Sequence, residues 1–203
     1  LLGQKLLHKL RLDSSVQLVA TSKGENRVSK KEDYTYFDLD ITNNTAVAQL
    51  IAREKPQVVI NTAAMTNVDL CEDEKKACDA LNVDAVRYLA DACEKIDAHL
   101  IQISTDFIFD GEDGPYSEED EPNPLSYYGF SKLKSEQLLQ AHSVKWTVLR
   151  TIIVFGVGEK LSKGNIVLWA KGALEKGDPL NIIDDQFRAP TLAEDLADIC
   201  ILA

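Results

Sequence analysis

Short apolar runs alternate with amphipathic stretches along this chain. Runs with the length and composition of β-strands cover residues 17–21, 34–38, 57–60, 100–104, 146–150 and 180–183. Helical periodicity covers residues 1–12, 42–54, 77–95, 131–141, 164–177 and 193–203. The run at 57–60 has no polar face, which indicates a strand buried on both sides, and the run at 100–104 predicts another buried strand. Strands that alternate with helices in this way predict an α/β fold with a doubly wound parallel sheet.

Polar residues that directly follow a strand are the first candidates for a site, because ligands of open α/β sheets bind at the carboxyl ends of the strands. Thr105 follows the run at 100–104. Its hydroxyl can donate a hydrogen bond to a reacting carbonyl oxygen, and a capping or turn role is the alternative. The long polar loop at residues 110–123 is expected to form a flap beside the site.

The stretch SYYGFSK places Tyr128 and Lys132 four residues apart, so that both would share one face of a helix. The alternative is a core tyrosine and a solvated lysine. A nearby ammonium favours the phenolate, and we therefore expect Lys132 to lower the pKa of Tyr128 from about 10. Tyr128 would then donate a proton to a carbonyl oxygen as hydride arrives at its carbon. Thr105 would hold the same oxygen, and Lys132 would also hydrogen-bond a cofactor ribose.

Composition narrows the function classes. The 203 residues are 45% hydrophobic, enough for a sizeable core, and carry a net charge of −11. An acidic chain without clustered Lys and Arg is a poor nucleic-acid binder, and no apolar run has the length of a transmembrane helix. The four cysteines lack CxxC spacing and neighbouring histidines, so we expect no metal and reduced thiols, with Cys93 and Cys200 buried. These features predict a cytoplasmic protein without nucleic-acid or membrane partners.

Six stretches together resemble a known family. They are INTAAMTNVDLCE, LNVDAVRYLADAC, ISTDFIFDG, SYYGFSKLKSE, LRTIIVFG and DDQFRAPT. In this order they resemble the extended short-chain dehydrogenase/reductase superfamily, and within it the dTDP-4-dehydrorhamnose reductase family. The resemblance implies a Rossmann-like fold and a part in carbohydrate biosynthesis. It assigns catalysis to Thr105, Tyr128 and Lys132, with Ser104 the less favoured hydroxyl.

The resemblance also implies a nicotinamide cofactor. The implied cofactor-binding residues are Gly3, Ser22, Lys23, Asp40, Ile41, Ala63, Ala64 and Lys132. Gly3 matches the last glycine of the family's GxxGxxG loop, and we expect the natural protein to carry the first strand and the two earlier glycines. Ser22 and Lys23 suit a 2′-phosphate, which favours NADP(H), with NAD(H) the alternative. Asp40 also fits a helix cap or turn, and Ala63 and Ala64 fit an ordinary tight turn.

The implied substrate is a nucleotide-sugar. The implied contacts are Asp106, Phe107, Asn165, Gln186 and Arg188. An arginine suits a pyrophosphate, because the guanidinium is a planar, multidentate donor. Ile153 and Arg188 stand where rhamnose-forming reductases have an aromatic residue and a glycine, so the sugar stays open.

The function that the resemblance implies is NADP-dependent reduction of a 4-keto sugar nucleotide. A homodimer is one of the assemblies considered for the protein. The alternatives are an epimerase of the same superfamily and a non-catalytic, cofactor-binding regulatory subunit. Phe107 stands where dehydratases have glutamate, which disfavours dehydration. We expect a dinucleotide-binding domain at residues 1–155 and, at residues 156–203, part of a substrate-binding region that continues beyond this chain.

Overall fold

The computed structural model of the protein describes residues 1–161 and 164–203. The strands are β1 (Val19–Ser22), β2 (Thr35–Asp38), β3 (Val58–Asn61), β4 (His99–Thr105) and β5 (Lys145–Thr151). The helices are α1 (Leu2–Leu10), α2 (Asn44–Glu54), α3 (Val68–Asp73), α4 (Lys75–Asp79), α5 (Ala85–Glu94), α6 (Tyr127–Gln140), α7 (Ile166–Lys176) and α8 (Ala193–Leu202). A π-helical turn joins α4 to α5, and a 3₁₀ turn follows β4.

The chain divides into two compact units. The first consists of Leu1–Asp38 and Thr151–Ala203, and the second of Leu39–Arg150. These bounds describe packing alone, and the functional division at residue 155 stays a prediction.

The first unit combines a parallel strand pair with two packed helices. β1 pairs with β2, and Val19 lies opposite Thr35. Helix α1 packs against α8 with its leucine face buried, and Lys5 Nζ lies 2.6 Å from Glu194 Oε1 across this contact. Apolar burial is the main stabilising contribution here, because exposed ion pairs are worth ~1 kcal/mol at most.

The second unit is a three-stranded sheet in the order β3-β4-β5. β3 and β4 are parallel, with Val58 opposite His99. The core is built from side chains of β4, α2, α5 and α6, among them Val47, Val86, Leu100 and Leu139. Asn43 caps α2 by accepting a 3.1 Å hydrogen bond from the Ala46 amide.

The α/β architecture with parallel strand pairs confirms the predicted fold class, and Cys93 and Cys200 are buried as expected. The prediction that β3 is buried on both sides is wrong at Val58, whose exposed fraction is 48%. The expected strand at 180–183 is not a strand, and Ile183 is 65% exposed. A strand forms only where a neighbouring strand accepts its hydrogen bonds, which an apolar run cannot show by itself.

Two predicted helices also differ. The stretch 77–95 is interrupted by the π-helical turn Ala80–Asp84, and α6 begins at Tyr127 rather than at 131. None of the helices in the described part of the chain is long and apolar enough to cross a membrane.

Candidate active site

The start of α6 lies directly against the end of β4. Ser126 begins the helix by accepting a 3.1 Å hydrogen bond from the Gly129 amide. A Cβ atom on Gly129 would lie 2.1 Å from the carbonyl oxygen of Phe107, so only glycine permits this approach. The first turn of α6 therefore rests on the 3₁₀ turn that follows β4.

This contact brings the predicted catalytic residues together within the second unit. Thr105 is the last residue of β4, and its hydroxyl accepts a 3.2 Å hydrogen bond from the Phe107 amide. The same hydroxyl donates a 3.2 Å hydrogen bond to Asp106 Oδ1 and lies beside the phenol of Tyr128, whose pKa it lowers. Lys132 is buried one turn further along α6, where its Nζ donates a 2.7 Å hydrogen bond to Ile103 O. Thr105 thus has the capping role considered above and also contacts Tyr128.

The electrostatics of the pair differ from the expectation. Burial raises the pKa of Tyr128 to about 12, and the neighbouring Thr105 hydroxyl opposes this only in part. Burial also lowers the pKa of Lys132 to about 8, against the opposing charge of Glu136. The expected net lowering of the pKa of Tyr128 is therefore wrong for this structure, since desolvation of the phenolate outweighs the effects that favour it. Tyr128 is a neutral phenol at neutral pH, the form that a proton donor requires.

The sequence-based argument assigned no role to Asn82, although it lies in one of the six quoted stretches. Asn82 is buried on the π-helical turn. Its Oδ1 accepts a 2.8 Å hydrogen bond from the Met65 amide, and its Nδ2 donates 3.0 Å hydrogen bonds to Met65 O and Ser131 Oγ. Asn82 thereby fixes the loop after β3 to α6. A polar residue within an otherwise apolar helical face was the available signal.

A second group that was missed lies behind Lys132. Glu136 is buried and accepts hydrogen bonds from Ser104 Oγ and from the guanidinium of Arg150, whose Nη2 is 2.8 Å from Glu136 Oε2. The Ser104 hydroxyl is thus hydrogen-bonded to Glu136, whereas Thr105 contacts Tyr128. The signal for Glu136 was its position four residues after Lys132.

The cofactor candidates of the first unit lie at two element ends. Gly3 is exposed at the second residue of α1. Ser22 and Lys23 are exposed at the carboxyl end of β1, where Ser22 Oγ lies 2.6 Å from Tyr36 Oη. The Gly24 amide donates a 2.7 Å hydrogen bond to Asp38, which brings a carboxylate to the same strand ends.

The cofactor-binding candidates of the second unit lie just before α2 and just after β3. Asp40 accepts hydrogen bonds from the amide and the hydroxyl of Thr42, so it has the turn role considered above. Ile41 packs against the core. Ala63 and Ala64 follow β3, and the Ala63 amide donates a 3.1 Å hydrogen bond to Asn61 Oδ1. Small side chains leave this backbone open to a flat ligand.

The substrate candidates fall into two groups. Asp106 and Phe107 adjoin Thr105 in the second unit, and the Phe107 ring meets Tyr128 edge-on at 5.8 Å between centroids. Asn165, in the first unit, caps α7 and donates a 2.7 Å hydrogen bond to Gly156 O, so it has a structural role. Gln186 and Arg188 are exposed and hydrogen-bonded to each other at 3.0 Å. Within residues 1–161 and 164–203, no three His, Cys, Asp or Glu side chains are arranged to hold a metal ion.

Comparison with known proteins identifies the family. The dTDP-4-dehydrorhamnose reductase of Aggregatibacter actinomycetemcomitans is 39% identical over 168 residues, which are 82% of this chain and 55% of that protein. The methionine adenosyltransferase 2 subunit beta of Bos taurus is 34% identical over 165 residues, 81% of this chain and 49% of that protein. The chain thus spans about half the length of these relatives.

A solved structure gives the same result. The crystal structure of dTDP-4-dehydrorhamnose reductase from Bacillus anthracis in complex with NADP is 28% identical, with a TM-score of 0.83 over 99% of this chain and 66% of that one. The family profile described as RmlD substrate binding domain matches residues 1–203. The chain therefore belongs to the RmlD substrate binding domain family.

Proposed function

We propose that the protein is an NADP-dependent reductase of a 4-keto sugar nucleotide, with an activity like that of dTDP-4-dehydrorhamnose reductases. The observation that carries the proposal is the meeting of Thr105, Tyr128 and Lys132 at the carboxyl end of β4. The 39% identity to such a reductase supports it. We further propose that the protein is cytoplasmic and forms a homodimer.

The residues present fit a nicotinamide cofactor. A hydroxyl and an ammonium are exposed at Ser22 and Lys23, where a 2′-phosphate would be held, and Asp38 nearby would instead favour the ribose hydroxyls of NAD. We assign the cofactor as NADP(H) because the Bacillus anthracis relative was solved in complex with NADP, and we keep NAD(H) as the alternative. Gly3, Asp40, Ile41, Ala63 and Ala64 stay the further candidates.

The chemistry of the site follows from its protonation states. A bound nicotinamide would supply the hydride. Tyr128, neutral at neutral pH, would donate its phenolic proton to the substrate oxygen as the carbonyl carbon is reduced. Thr105 would orient the same oxygen, and the charge of Lys132 would stabilise the phenolate that remains. Asp106 and Phe107 adjoin Thr105 and would border the sugar, whereas Asn165, Gln186 and Arg188 are candidates for the nucleotide.

A specific observation favours a second candidate. Relatives named methionine adenosyltransferase 2 subunit beta are 33–34% identical to this chain. A regulatory subunit that binds the cofactor without turnover is therefore the alternative function.

The experiment uses the full-length protein with NADPH and a dTDP-4-keto-6-deoxyhexose, followed by the absorbance of the reduced nicotinamide. Tyr128→Phe is compared with Tyr127→Phe, which removes the neighbouring hydroxyl bonded to Asp79. We expect oxidation of NADPH by the wild type and by Tyr127→Phe, with a loss of ~10²-fold or more in Tyr128→Phe. NADPH binding without oxidation across several nucleotide sugars would refute the reductase and favour the regulatory subunit. Failure to bind NADPH or NADH would refute both.

A further inference from the structure

We propose that Glu136 is a positioning residue, which keeps the buried amine of Lys132 charged from behind the site. Its effect on turnover rests on the proposed reductase function. Its effect on the charge of Lys132 follows from the geometry of the second unit alone.

Glu136 continues the row of the catalytic candidates along α6. Tyr128, Lys132 and Glu136 are spaced four residues apart, and the last two are each 2% exposed. The end of β4 contacts this row residue by residue. Ile103 O accepts a hydrogen bond from Lys132, Ser104 donates one to Glu136, and Thr105 contacts Tyr128. One strand end and one helix face therefore hold all three ionisable groups.

Glu136 is held as a paired anion. Arg150 donates from Nε to both carboxylate oxygens at 3.3 and 3.2 Å, and from Nη2 to Oε2 at 2.8 Å. These charge-assisted hydrogen bonds offset the cost of burying a carboxylate. Arg150 also reaches outward, because its Nη1 donates to Glu118 O of the flap at 3.3 Å and its guanidinium lies over the Phe109 ring.

The burial of the ion pair is uneven, and this determines which charge Lys132 feels. The Arg150 side chain is 24% exposed, whereas that of Glu136 is 2% exposed. Solvent screens the outer guanidinium more than the inner carboxylate. The net field at Lys132 is consequently that of an anion.

Of the described residues, the titratable groups that act on Lys132 are Glu136 on its own helix and Cys78 on α4. Tyr128 lies one turn before Lys132 on α6. Burial alone disfavours the ammonium, and Glu136 is the largest opposing influence on a pKa that is already lowered to about 8. Without Glu136, Lys132 would be mostly neutral near pH 8. A neutral amine cannot stabilise the phenolate that proton donation leaves on Tyr128.

The direct test is titration of Lys132 by NMR in full-length protein that carries ¹³C-labelled lysine. The Cε resonance is assigned by its loss in Lys132→Arg. We expect a midpoint near pH 8 in the wild type and one lower by about one unit in Glu136→Gln, since a close opposite charge shifts a pKa by about 1–3 units. Glu94→Gln, which removes an exposed carboxylate at the end of α5, is the matched control and should leave the midpoint in place.

The direction of the shift separates electrostatics from loosened packing. Loosened packing would admit water and raise the midpoint toward the ordinary 10.5, whereas loss of the anion lowers it. An unchanged or raised midpoint in Glu136→Gln would overturn the proposal. Should Glu136→Gln fail to fold, the double variant Glu136→Leu, Arg150→Met removes the whole ion pair, a change that buried pairs often tolerate. An unchanged or raised midpoint in that double variant would then overturn the proposal instead.

The turnover measurement tests the link to function. The ratio of wild-type to Glu136→Gln kcat should be near one at pH 6, where Lys132 is charged in both, and about fivefold at pH 8 for a one-unit shift. A ratio that is the same at both pH values would refute the catalytic role of Glu136. Absence of wild-type turnover would refute the reductase function, while the NMR midpoints would still decide the charge effect.

Discussion

Replacement of Gly129 by alanine perturbs the contact that brings the candidate site together. The added Cβ would lie 2.1 Å from Phe107 O, 3.0 Å from Phe107 C and 3.1 Å from Pro124 Cβ. Ordinary van der Waals contact begins at 3.4 Å, so α6 and the turn after β4 must separate by about 1.3 Å. The nearest obstacle is backbone, and no rotamer change can relieve the clash.

The magnitude follows from two opposing effects. Overpacking costs about 1–3 kcal/mol, and a backbone obstacle places this case at the upper end. Alanine regains about 1 kcal/mol of helix propensity over glycine. We therefore expect the free energy of unfolding to fall by about 2 kcal/mol. Because a displacement of about 1 Å can cost ~10²-fold in rate, and Tyr128 precedes Gly129, turnover should fall more steeply than stability.

The assay is chemical denaturation together with NADPH oxidation at a temperature where the variant stays folded. Gly172→Ala is the matched control, because this glycine lies within α7 and an added Cβ meets nothing within 4 Å. The free energy of unfolding of this control should rise by about 0.5–1 kcal/mol. If Gly129→Ala kept a wild-type unfolding free energy within ~0.5 kcal/mol, the close approach of α6 to the turn would be refuted.

Two further changes test other parts of the second unit. Asn82→Ala should lower the free energy of unfolding by about 1–3 kcal/mol, because the Met65 amide loses its partner and the Met65 carbonyl keeps only the 3.7 Å hydrogen bond from Cys71 Sγ; a denaturation midpoint that corresponds to less than ~0.5 kcal/mol would contradict this. Asp110→Asn tests pH dependence: hydrogen bonds from Tyr116, then from Glu112 and Asn123, lower the pKa of Asp110 to about 2. The stabilisation from the ionised carboxylate is full above the ordinary pKa of 3.8 and is lost as pH falls toward 2, so the Tm of wild type should drop relative to the variant in that window. Parallel Tm curves between pH 4 and 2 would show that these hydrogen bonds do not favour the carboxylate.

The sequence allowed the α/β class and the Tyr128–Lys132 pair to be predicted because both rest on local periodicity. A hydrophobic run identifies β4, and a four-residue spacing identifies the helix face. The protonation state of Tyr128 could not be predicted from the sequence, because it depends on how deeply the ring is buried beside Thr105. Burial is a property of tertiary packing, and spacing does not contain it.

The roles of Ser104 and Glu136 show the same limit. Either hydroxyl of Ser104 and Thr105 satisfied the motif, and the choice depended on which one faced Tyr128 and which one faced Glu136. Neighbouring residues of a strand point to opposite faces, so the two hydroxyls cannot have the same partner. The prediction of a strand at 180–183 was wrong for a related reason. Strand pairing requires a neighbouring strand, and the local pattern does not specify one.

The π-helical turn Ala80–Asp84 has a consequence for how this region can change in length. It holds one residue more than an α-helical turn, and Cys78, Asn82 and Val86 are all buried along this segment. Deletion of one residue there would restore an uninterrupted α-helix and turn every later side chain by about 100°. The number of residues between Cys78 and Val86 is therefore constrained as tightly as their identities. We expect this segment to tolerate substitutions at its exposed positions, and we expect insertions and deletions to disrupt its packing.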